Sequence, residues 1–346
     1  MPPTPPAALR LVIDSEALGH NWRALDALSG TARAGAAVKA DAYGLGVHQV
    51  APVLRATGCD EFFVAHWSEV APLLAHVPPA NIAVLHGPLT AADAAYAVAR
   101  GVKPVINTLA QARLWRDAGG GSCDLMVDTG INRLGLPLGD LGSEAITALD
   151  VDVLHSHLAS ADEDAALNAV QQSRWSEARG QVTHRRASLA NSAGIALGSA
   201  YHGDLTRPGL ALYGGIPRRE LVGTIRQVAR PEVAVMQVRE LAAGEGVGYN
   251  STFVAAAPMR VGVVALGYAD GYLRCWSGKG VLRARETPLP VLGRVSMDMT
   301  IVDLTAAPAL REGDWLSVDY SLPEAAAASG LSQYELLTLL GLRFQR

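Results

Sequence analysis

The chain has 346 residues, of which 49% are hydrophobic and 18% are charged, and its formal net charge is −4. This composition excludes an intrinsically disordered chain, and the length is sufficient for two domains. Because the sequence is slightly acidic and has no long basic stretch, we expect small-molecule partners and no nucleic acid.

The N-terminus and the cysteines bear on location. Residues 1–8 are rich in proline and alanine and lack the apolar region of a signal peptide, so we expect a disordered tail there. The sequence has no run of about 18 apolar residues, and we therefore predict no membrane span. Its three cysteines are far apart and lack metal-binding spacing, so no metal is predicted and a reducing cytoplasm is the expected location.

The next part of the chain alternates between short apolar runs and helical segments rich in Ala and Leu. After a strand at 11–14 and a helix that begins near Ser15, most successive runs lie about 20 to 30 residues apart, which is the spacing of βα units. The predicted strands are 36–39, 62–65, 82–86, 104–106, 124–128, 151–157, 187–190 and 210–213. Eight such units predict a TIM (β/α)8 barrel over residues 9–220.

An open, doubly wound sheet is the alternative to a barrel. That fold usually carries a glycine-rich phosphate loop after its first strand. The first loop here, 39–46, has Gly44 and Gly46 but no third glycine, so it is a weak dinucleotide signal. We therefore favour the barrel.

The sequence pattern changes after about residue 221. Strand-like runs separated by Gly, Pro and Asp turns follow at 233–238, 259–266, 281–285, 290–295, 300–304 and 315–317. Few helical stretches remain before 333–340. We predict a mostly β C-terminal domain over residues 221–346, so that the whole chain is α/β plus β.

Candidate functional residues lie at or next to the ends of the predicted barrel strands, where active sites of this fold occur. They are Lys39, Arg133, His157, Asn191, Ser192, Arg207 and Gly209. Taken singly, each has an ordinary explanation, such as a surface lysine, a buried imidazole or a helix cap. Together they suggest a pyridoxal phosphate (PLP) site, because a buried lysine forms Schiff bases and the backbone near Ser192 and Gly209 offers N–H groups to a phosphate.

A series of ordered motifs extends this interpretation and resembles the alanine racemase family of fold-type III PLP enzymes. The segment 38–46, which contains Lys39, is similar to the PLP-lysine signature of that family. The resemblance covers nearly the whole chain and continues through 128–135, 157–162, 191–193, 207–214, 247–253, 267–271, 293–298 and 334–335.

The resemblance implies a homodimer with shared active sites that makes D-alanine for peptidoglycan. Lys39 of one subunit and Tyr249 of the other would act as bases on opposite faces of the amino acid. The implied PLP-binding residues are Lys39, Tyr43, His157, Asn191, Ser192, Arg207, Gly209, Leu210 and Tyr334. The implied substrate-binding residues are Arg133, for which the resemblance also allows a role in supporting Tyr249, and Met297. The implied entrance residues are Tyr268 and Asp298.

Two of these roles have a physical rationale. Arg207 would face the ring nitrogen of PLP, and because an arginine keeps its proton, that nitrogen should stay unprotonated, which favours simple proton exchange over transamination. Tyrosine is a weak acid, so Tyr249 would need cationic neighbours to act as a base, and the resemblance assigns His157 and Arg207 to that task.

Three positions depart from the family pattern and leave rate and substrate range open. Met126 stands where many members carry a carbamylated lysine, so an anion or Asn132 would have to position Arg133 instead. Ser188 stands where a histidine often supports the pyridine-side arginine. Gly248 stands where serine is common before the tyrosine.

Other activities remain as alternatives. The first is a broader amino-acid racemase that acts on serine or other amino acids, although periplasmic versions of it carry a signal peptide, which is not expected here. A PLP decarboxylase of related architecture is disfavoured, since its catalytic cysteine motif is not found. A non-catalytic PLP-binding protein would consist of a barrel alone, whereas this chain carries a long β domain and the Tyr249 motif.

Overall fold

The computed structural model of the chain describes residue 5 and residues 7–346. Residues 1–4 and 6, which form most of the predicted tail over 1–8, lie outside the described residues. The chain divides into a barrel unit, Ser15–Arg226, and a β unit that combines Gln227–Arg346 with the chain up to Asp14.

These bounds differ from the predicted 9–220 and 221–346. The first strand, β1 (Leu9–Ile13), pairs antiparallel with residues 229–233 and so belongs to the β unit. Such a pairing joins segments more than 200 residues apart and leaves no local trace in the sequence. At the other boundary, the Arg226 N–H donates to Asn21 Oδ1 at 2.8 Å and ties residues up to 226 to the barrel unit.

The strands of the barrel unit run parallel and follow the chain order. They are β2 (Arg33–Ala34), β3 (Ala36–Ala37), β4 (Phe62–Val64), β5 (Ile82–Val84), β6 (Lys103–Ile106), β7 (Cys123–Met126), β8 (Val151–His155), β9 (Arg186–Ser188) and β10 (Leu205–Thr206). Strands β3 to β9 form one seven-stranded sheet in that order, and β10 pairs with β2. Every residue of β4, β5 and β7 is buried, as expected of a parallel sheet covered on both faces.

The segment around β10 closes the barrel. On one side the Arg207 N–H donates to Ala190 O at 2.8 Å, and on the other the Ala37 N–H donates to Pro208 O at 2.9 Å. The segment therefore joins the last strand of the parallel sheet to the first. The predicted class, a TIM-type barrel followed by a mostly β domain, is confirmed.

The predicted eighth strand at 210–213 is wrong. Leu210–Tyr213 is a 3₁₀ helix that ends at Gly214, whose φ is +96°, and the eighth strand is β10 instead. All four residues of the helix are buried. A short, fully buried apolar run has no polar alternation, so its sequence pattern does not distinguish a strand from a helix.

The helices of the barrel unit lie between the strands. They are α1 (Ser15–Leu28), α2 (Lys39–Tyr43), α3 (Val47–Thr57), α4 (Val70–Leu74), α5 (Ala91–Arg100), α6 (Leu109–Asp117), α7 (Glu144–Thr147), α8 (Ala166–Gln181) and α9 (Ser192–Ala196). Helix α5 illustrates how local sequence sets their bounds. The Asp93 N–H donates to Thr90 Oγ1 at 3.2 Å at its start, and Gly101 ends it with a left-handed φ of +68°.

The β unit is built on one long antiparallel sheet. Its remaining elements are β11 (Ala229–Leu241), β12 (Gly246–Val247), β13 (Phe253–Val254), β14 (Met259–Val264), β15 (Val281–Ala284), β16 (Thr287–Leu292), β17 (Thr300–Asp303), β18 (Trp315–Val318), α10 (Leu322–Ser329) and α11 (Gln333–Thr338). The strand order is β1-β11-β14-β17-β16-β15-β18, and β18 also pairs with β11, which closes the sheet on itself. Among the described residues, no helix has the length and apolar character needed to cross a membrane.

Candidate active site

Lys39 stands at the start of an unusual turn directly after the first barrel strand. It opens α2, in which residues 40–43 all have left-handed backbone angles, with φ between +52° and +56°. A left-handed conformation costs a residue with a side chain roughly 1–2 kcal/mol. Such a turn therefore needs support from the rest of the fold.

Glu69 supplies part of that support. Its Oε1 accepts the Ala40 N–H at 2.5 Å, and its Oε2 accepts the N–H groups of Ala65 and His66 at 2.7 and 3.0 Å. One carboxylate thus connects the turn after Lys39 to the end of β4. Glu69 is not among the residues predicted from the sequence, although the spacing of His66 and Glu69 is that of a helix capping pair.

The environment of Lys39 favours its neutral amine. Burial lowers the pKa of Lys39, and the positive charges of Arg133 and Arg207 lower it further, while Glu69 opposes them. A neutral lysine amine is the nucleophilic form that condenses with a carbonyl. His157 lies in the same neighbourhood, because burial and the charges of Arg207, Arg133 and Lys39 lower its pKa to about 3. Four residues predicted from the sequence therefore interact electrostatically.

Arg207 is buried at the end of the segment that closes the barrel. Its guanidinium donates to Ser188 Oγ, to Ser156 O and to His155 Nδ1. Burial lowers the pKa of Arg207 to about 10, and the negative charge of Asp124 opposes this shift. Arg207 therefore keeps its positive charge at neutral pH. Ser188, one of the three departures from the family pattern, is a direct partner of this arginine.

Ser192, Gly209 and Tyr43 form a compact cluster beside the first strand. Ser192 Oγ accepts the N–H groups of Gly209 and Ala211 at 2.9 and 3.1 Å, so its own hydroxyl proton is directed elsewhere. A Cβ at position 209 would lie 2.2 Å from Tyr43 Oη, so only glycine leaves room there. Asn191 begins α9, where its side chain accepts the Gly194 N–H at 2.8 Å. Leu210 is buried at the start of the 3₁₀ helix.

Arg133 extends from a loop after β7 and is exposed. Asp128 Oδ1 accepts the N–H groups of residues 130–132 at 2.8 to 3.2 Å, and Asn132 has a left-handed φ of +53°. Met126 is buried at the end of β7. Asp128 and Asn132 thus fix the backbone from which Arg133 projects.

The β unit carries the remaining five predicted residues. Among them, Tyr268 and Met297 lie on adjoining loops, since the Tyr268 N–H donates to Ser296 O and the Ala269 N–H donates to Met297 O, both at 3.0 Å. Asp298 accepts a hydrogen bond from Arg343 at 2.7 Å.

Tyr249 and Tyr334 stand on separate elements of the β unit. Tyr249 is 65% exposed in a short turn after Gly248, whose φ of +65° suits glycine better than serine. Tyr334 lies in the first turn of α11 and is exposed.

Comparisons with known proteins identify relatives of both units. A family model described as the N-terminal domain of alanine racemase matches residues 13–217, and one described as its C-terminal domain matches residues 228–346. The biosynthetic alanine racemase of Agrobacterium fabrum is 39% identical, with 98% of this chain and 93% of that protein covered. The alanine racemase of Methylobacterium nodulans is 41% identical, with 97% and 95% covered.

Solved structures agree with these sequence relatives. The crystal structure of alanine racemase from Bartonella henselae with covalently bound pyridoxal phosphate has a TM-score of 0.90 and 33% identity, and 99% of each chain is covered. The biosynthetic alanine racemase from Pseudomonas aeruginosa has a TM-score of 0.87 and 32% identity, again with 99% of each chain covered.

Proposed function

The chain belongs to the alanine racemase family, and from this premise we propose that it interconverts L-alanine and D-alanine with PLP held on Lys39. The observation that carries the proposal is the position of Lys39 at the end of the first barrel strand, with a lowered pKa and two arginines nearby. A lysine in this state forms a Schiff base readily.

The residues present fit PLP at three points. Lys39 suits the aldehyde and Arg207 suits the ring nitrogen, while the Ser192 hydroxyl suits the phosphate because both of its acceptor positions are filled and its proton remains to be donated. The missing side chain at Gly209 lets Tyr43 Oη approach this end, since a Cβ at position 209 would lie 2.2 Å from it. When bound, PLP supplies an electron-withdrawing ring that stabilises negative charge on the α-carbon of the substrate.

Two proton carriers on opposite faces of the substrate account for racemisation. Lys39 Nζ, freed when the substrate amine takes its place, would take or return the α-proton on one face, and its lowered pKa shifts it towards the neutral amine. Tyr249 of the partner subunit does so on the other face, with Arg207 as its cationic neighbour. His157 does not supply the positive charge expected from the resemblance, because its pKa of about 3 leaves the imidazole neutral. The exposed position of Tyr249 in the β unit supports a role that is completed by a second subunit. The active assembly in this proposal is therefore a homodimer.

The other residues bind and orient the substrate or cofactor. Arg207 would donate to the ring nitrogen of bound PLP, and because it keeps its own proton at neutral pH, simple proton exchange would be favoured. Arg133 and the backbone of Met297 bind the substrate carboxylate, and Tyr268 and Asp298 line the entrance. Tyr334 completes the phosphate side.

Turnover of L-alanine and of L-serine by the purified protein with added PLP tests the proposal. We expect PLP-dependent formation of D-alanine that is faster than formation of D-serine. Faster turnover of serine would point to the broader racemase, and PLP binding without any turnover would refute the assigned reaction. Growth of a D-alanine-requiring bacterium on expression of this chain would support a role in supplying peptidoglycan.

A further inference from the structure

Arg207 is connected to a buried carboxylate through a buried imidazole. Arg207 Nη1 lies 3.2 Å from His155 Nδ1, and His155 Nε2 lies 3.1 Å from Asp124 Oδ2. We propose that His155, held by Asp124, is a positioning residue that fixes the Arg207 guanidinium for the ring nitrogen of PLP. The cofactor part of this inference rests on the proposed function.

The hydrogen-bond geometry determines where the imidazole proton lies. A guanidinium has only donors, so His155 Nδ1 must accept from Arg207. The ring is then neutral, with its proton on Nε2, and Nε2 donates to Asp124. His155 thus connects the two charged side chains, since it accepts from Arg207 and donates to Asp124.

Burial makes the arrangement costly to disturb. The exposed fraction is 6% for Arg207, 1% for Asp124 and 0% for His155. A buried cation and a buried anion each lose hydration, and a hydrogen-bonded ring between them compensates for part of that loss. Removing the ring would leave both charges without one of their partners.

The surroundings keep the imidazole neutral and in place. Burial lowers the pKa of His155 to about 4, with Arg207 and Lys103 lowering it and Asp124 opposing them. The Phe63 ring packs edge-on against the imidazole, with centroids 5.8 Å apart. Asp124 is fixed in turn, since its Oδ1 accepts the Val153 N–H at 3.2 Å.

The three side chains come from different parts of the barrel. Asp124 lies in β7 and His155 ends the neighbouring β8, whereas Arg207 follows β10. Movement of any one of them would shift the guanidinium relative to Lys39, which shares the same electrostatic neighbourhood. The chain thus positions Arg207 with side chains from two adjacent strands in addition to Ser188.

The test compares two substitutions at position 155 with a control. His155→Phe keeps a ring but removes both hydrogen bonds, whereas His155→Gln can accept from Arg207 and donate to Asp124 through its amide. Asn107→Ala is the control, because Asn107 is also buried in the barrel unit and its amide donates to Leu85 O and Val105 O.

The first readout needs no cofactor. In ¹⁵N-histidine NMR of the PLP-free protein, we expect one imidazole with its proton on Nε2 that stays neutral over about pH 6 to 8 and disappears from the spectrum of both position-155 variants. A proton on Nδ1, or ordinary titration in this range, would overturn the inference whether or not the protein is a racemase.

The second readout uses the PLP-loaded protein. We expect His155→Phe to weaken PLP binding by about 10- to 100-fold and to lower kcat by a similar factor, because a hydrogen bond to a charged group is lost. The KM for alanine should stay within about twofold of the wild-type value. His155→Gln should restore most of both, and Asn107→Ala should change thermal stability alone. Wild-type kcat and PLP affinity in His155→Phe would sink the inference.

Two further outcomes are distinguishable. If His155→Phe does not fold, Asp124→Leu replaces it, because leucine cannot accept from His155 Nε2, and wild-type kcat and PLP affinity in that variant would count against the inference. If the wild-type protein neither binds PLP nor racemises alanine, the proposed function fails, while the NMR readout still decides how Arg207 is held.

Discussion

Lys39 differs from the other lysines of the chain in its surroundings. The chain has three lysines, and Lys103 is bound by carboxylates while Lys279 is exposed. The pKa of Lys39 is lowered by burial and by Arg133, whereas the pKa of Lys103 is raised by Asp124 and Glu61 despite its burial. A neutral amine is therefore favoured at Lys39 and disfavoured at Lys103.

This difference predicts selective attachment of PLP. Borohydride reduction of the PLP-loaded protein should place the label on Lys39, and Lys39→Ala should abolish both the label and racemase activity. Peptide mass spectrometry checks the site, and Lys279→Ala is the matched control that should leave the label in place. Label at Lys103 or Lys279 in the wild-type protein would contradict the assignment.

Glu69 is expected to maintain the turn that carries Lys39. Glu69→Gln replaces one of its acceptor oxygens with an N–H₂ donor, so we expect a loss of about 1–3 kcal/mol in the free energy of unfolding. Because Glu69 raises the pKa of Lys39, the variant should also lower that pKa further. Thermal unfolding and the pH dependence of the bound PLP spectrum measure the two effects.

Asp93 provides a matched control for Glu69. It caps α5 in a similar way, since its Oδ2 accepts the N–H groups of Leu89 and Thr90 at 3.0 and 2.9 Å. Asp93→Asn should lower stability without moving the PLP spectrum. A shift of the spectrum in Asp93→Asn as large as in Glu69→Gln would show that the Glu69 effect is not local.

The sequence alone predicted residues at strand ends better than the residues that support them. Barrel topology brings strand ends together, and the structure places Lys39, His157 and Arg207, which stand at or next to such ends, in one electrostatic neighbourhood. Their roles stay predictions. Glu69 and His155 were missed because their contacts depend on neighbours 29 and 52 residues away in the chain.

At the scale of elements, the turn between β10 and the following 3₁₀ helix shapes the proposed phosphate end. Gly209→Ala would place a Cβ 2.2 Å from Tyr43 Oη and force one of the two groups to move. We expect PLP affinity to fall about tenfold or more, as for overpacking of a tight site. Equilibrium dialysis measures it, and Gly142→Ala, whose Cβ would meet nothing within 4 Å, is the control. Unchanged affinity in Gly209→Ala would place the phosphate elsewhere.

A group of ion pairs at the starts of β6, β8 and β9 predicts a pH dependence. Asp152 lies 2.8 Å from Lys103 Nζ and 2.7 Å from Arg186 Nη2. Although burial opposes it, hydrogen bonds from Arg186 and Lys103 hold the pKa of Asp152 well below its usual range. The stability that this gives is present above the usual carboxyl pKa of about 4 and is lost as the pH falls towards the depressed value.

The free energy of unfolding should therefore be about 1–3 kcal/mol lower in Asp152→Asn than in the wild-type protein at neutral pH. On acidification it should fall less steeply in the variant than in the wild type. Thermal unfolding from pH 7 down to about pH 3 measures the difference. Asp150→Asn removes an exposed pair with Arg185 and should have little effect. Parallel acid profiles for the wild type and Asp152→Asn would contradict the prediction.

Elements with a clear local signal were predicted well from the sequence, and those defined by distant pairing were not. The βα alternation follows from apolar runs and helix caps, such as Thr90 and Gly101 of α5. The run at 210–213 has the sequence pattern of a strand although it is a 3₁₀ helix, because complete burial removes the polar alternation that distinguishes a strand from a helix. The membership of β1 in the β unit depends on its ladder with β11, which only the folded chain shows.

Each proposed active site is divided between the two subunits of the dimer. Lys39 lies in the barrel unit, and Tyr249 is exposed on the β unit. If one chain carries Lys39→Ala and its partner carries Tyr249→Phe, a shared arrangement gives one site with both changes and one site with neither. If each chain formed its own site, both sites would carry one change.

Mixing the two inactive variants therefore tests the shared site directly. Random reassembly after co-expression should restore about a quarter of the wild-type activity, since half of the dimers are mixed and each has one intact site. The reverse experiment mixes the wild-type chain with the double variant Lys39→Ala/Tyr249→Phe. There a shared site gives mixed dimers with no intact site, so activity should fall below the share of wild-type chains. Two results together would contradict the shared site: no activity in the first mixture, and activity proportional to the share of wild-type chains in the second. Each subunit would then work alone, and Tyr249 would not be supplied by a partner.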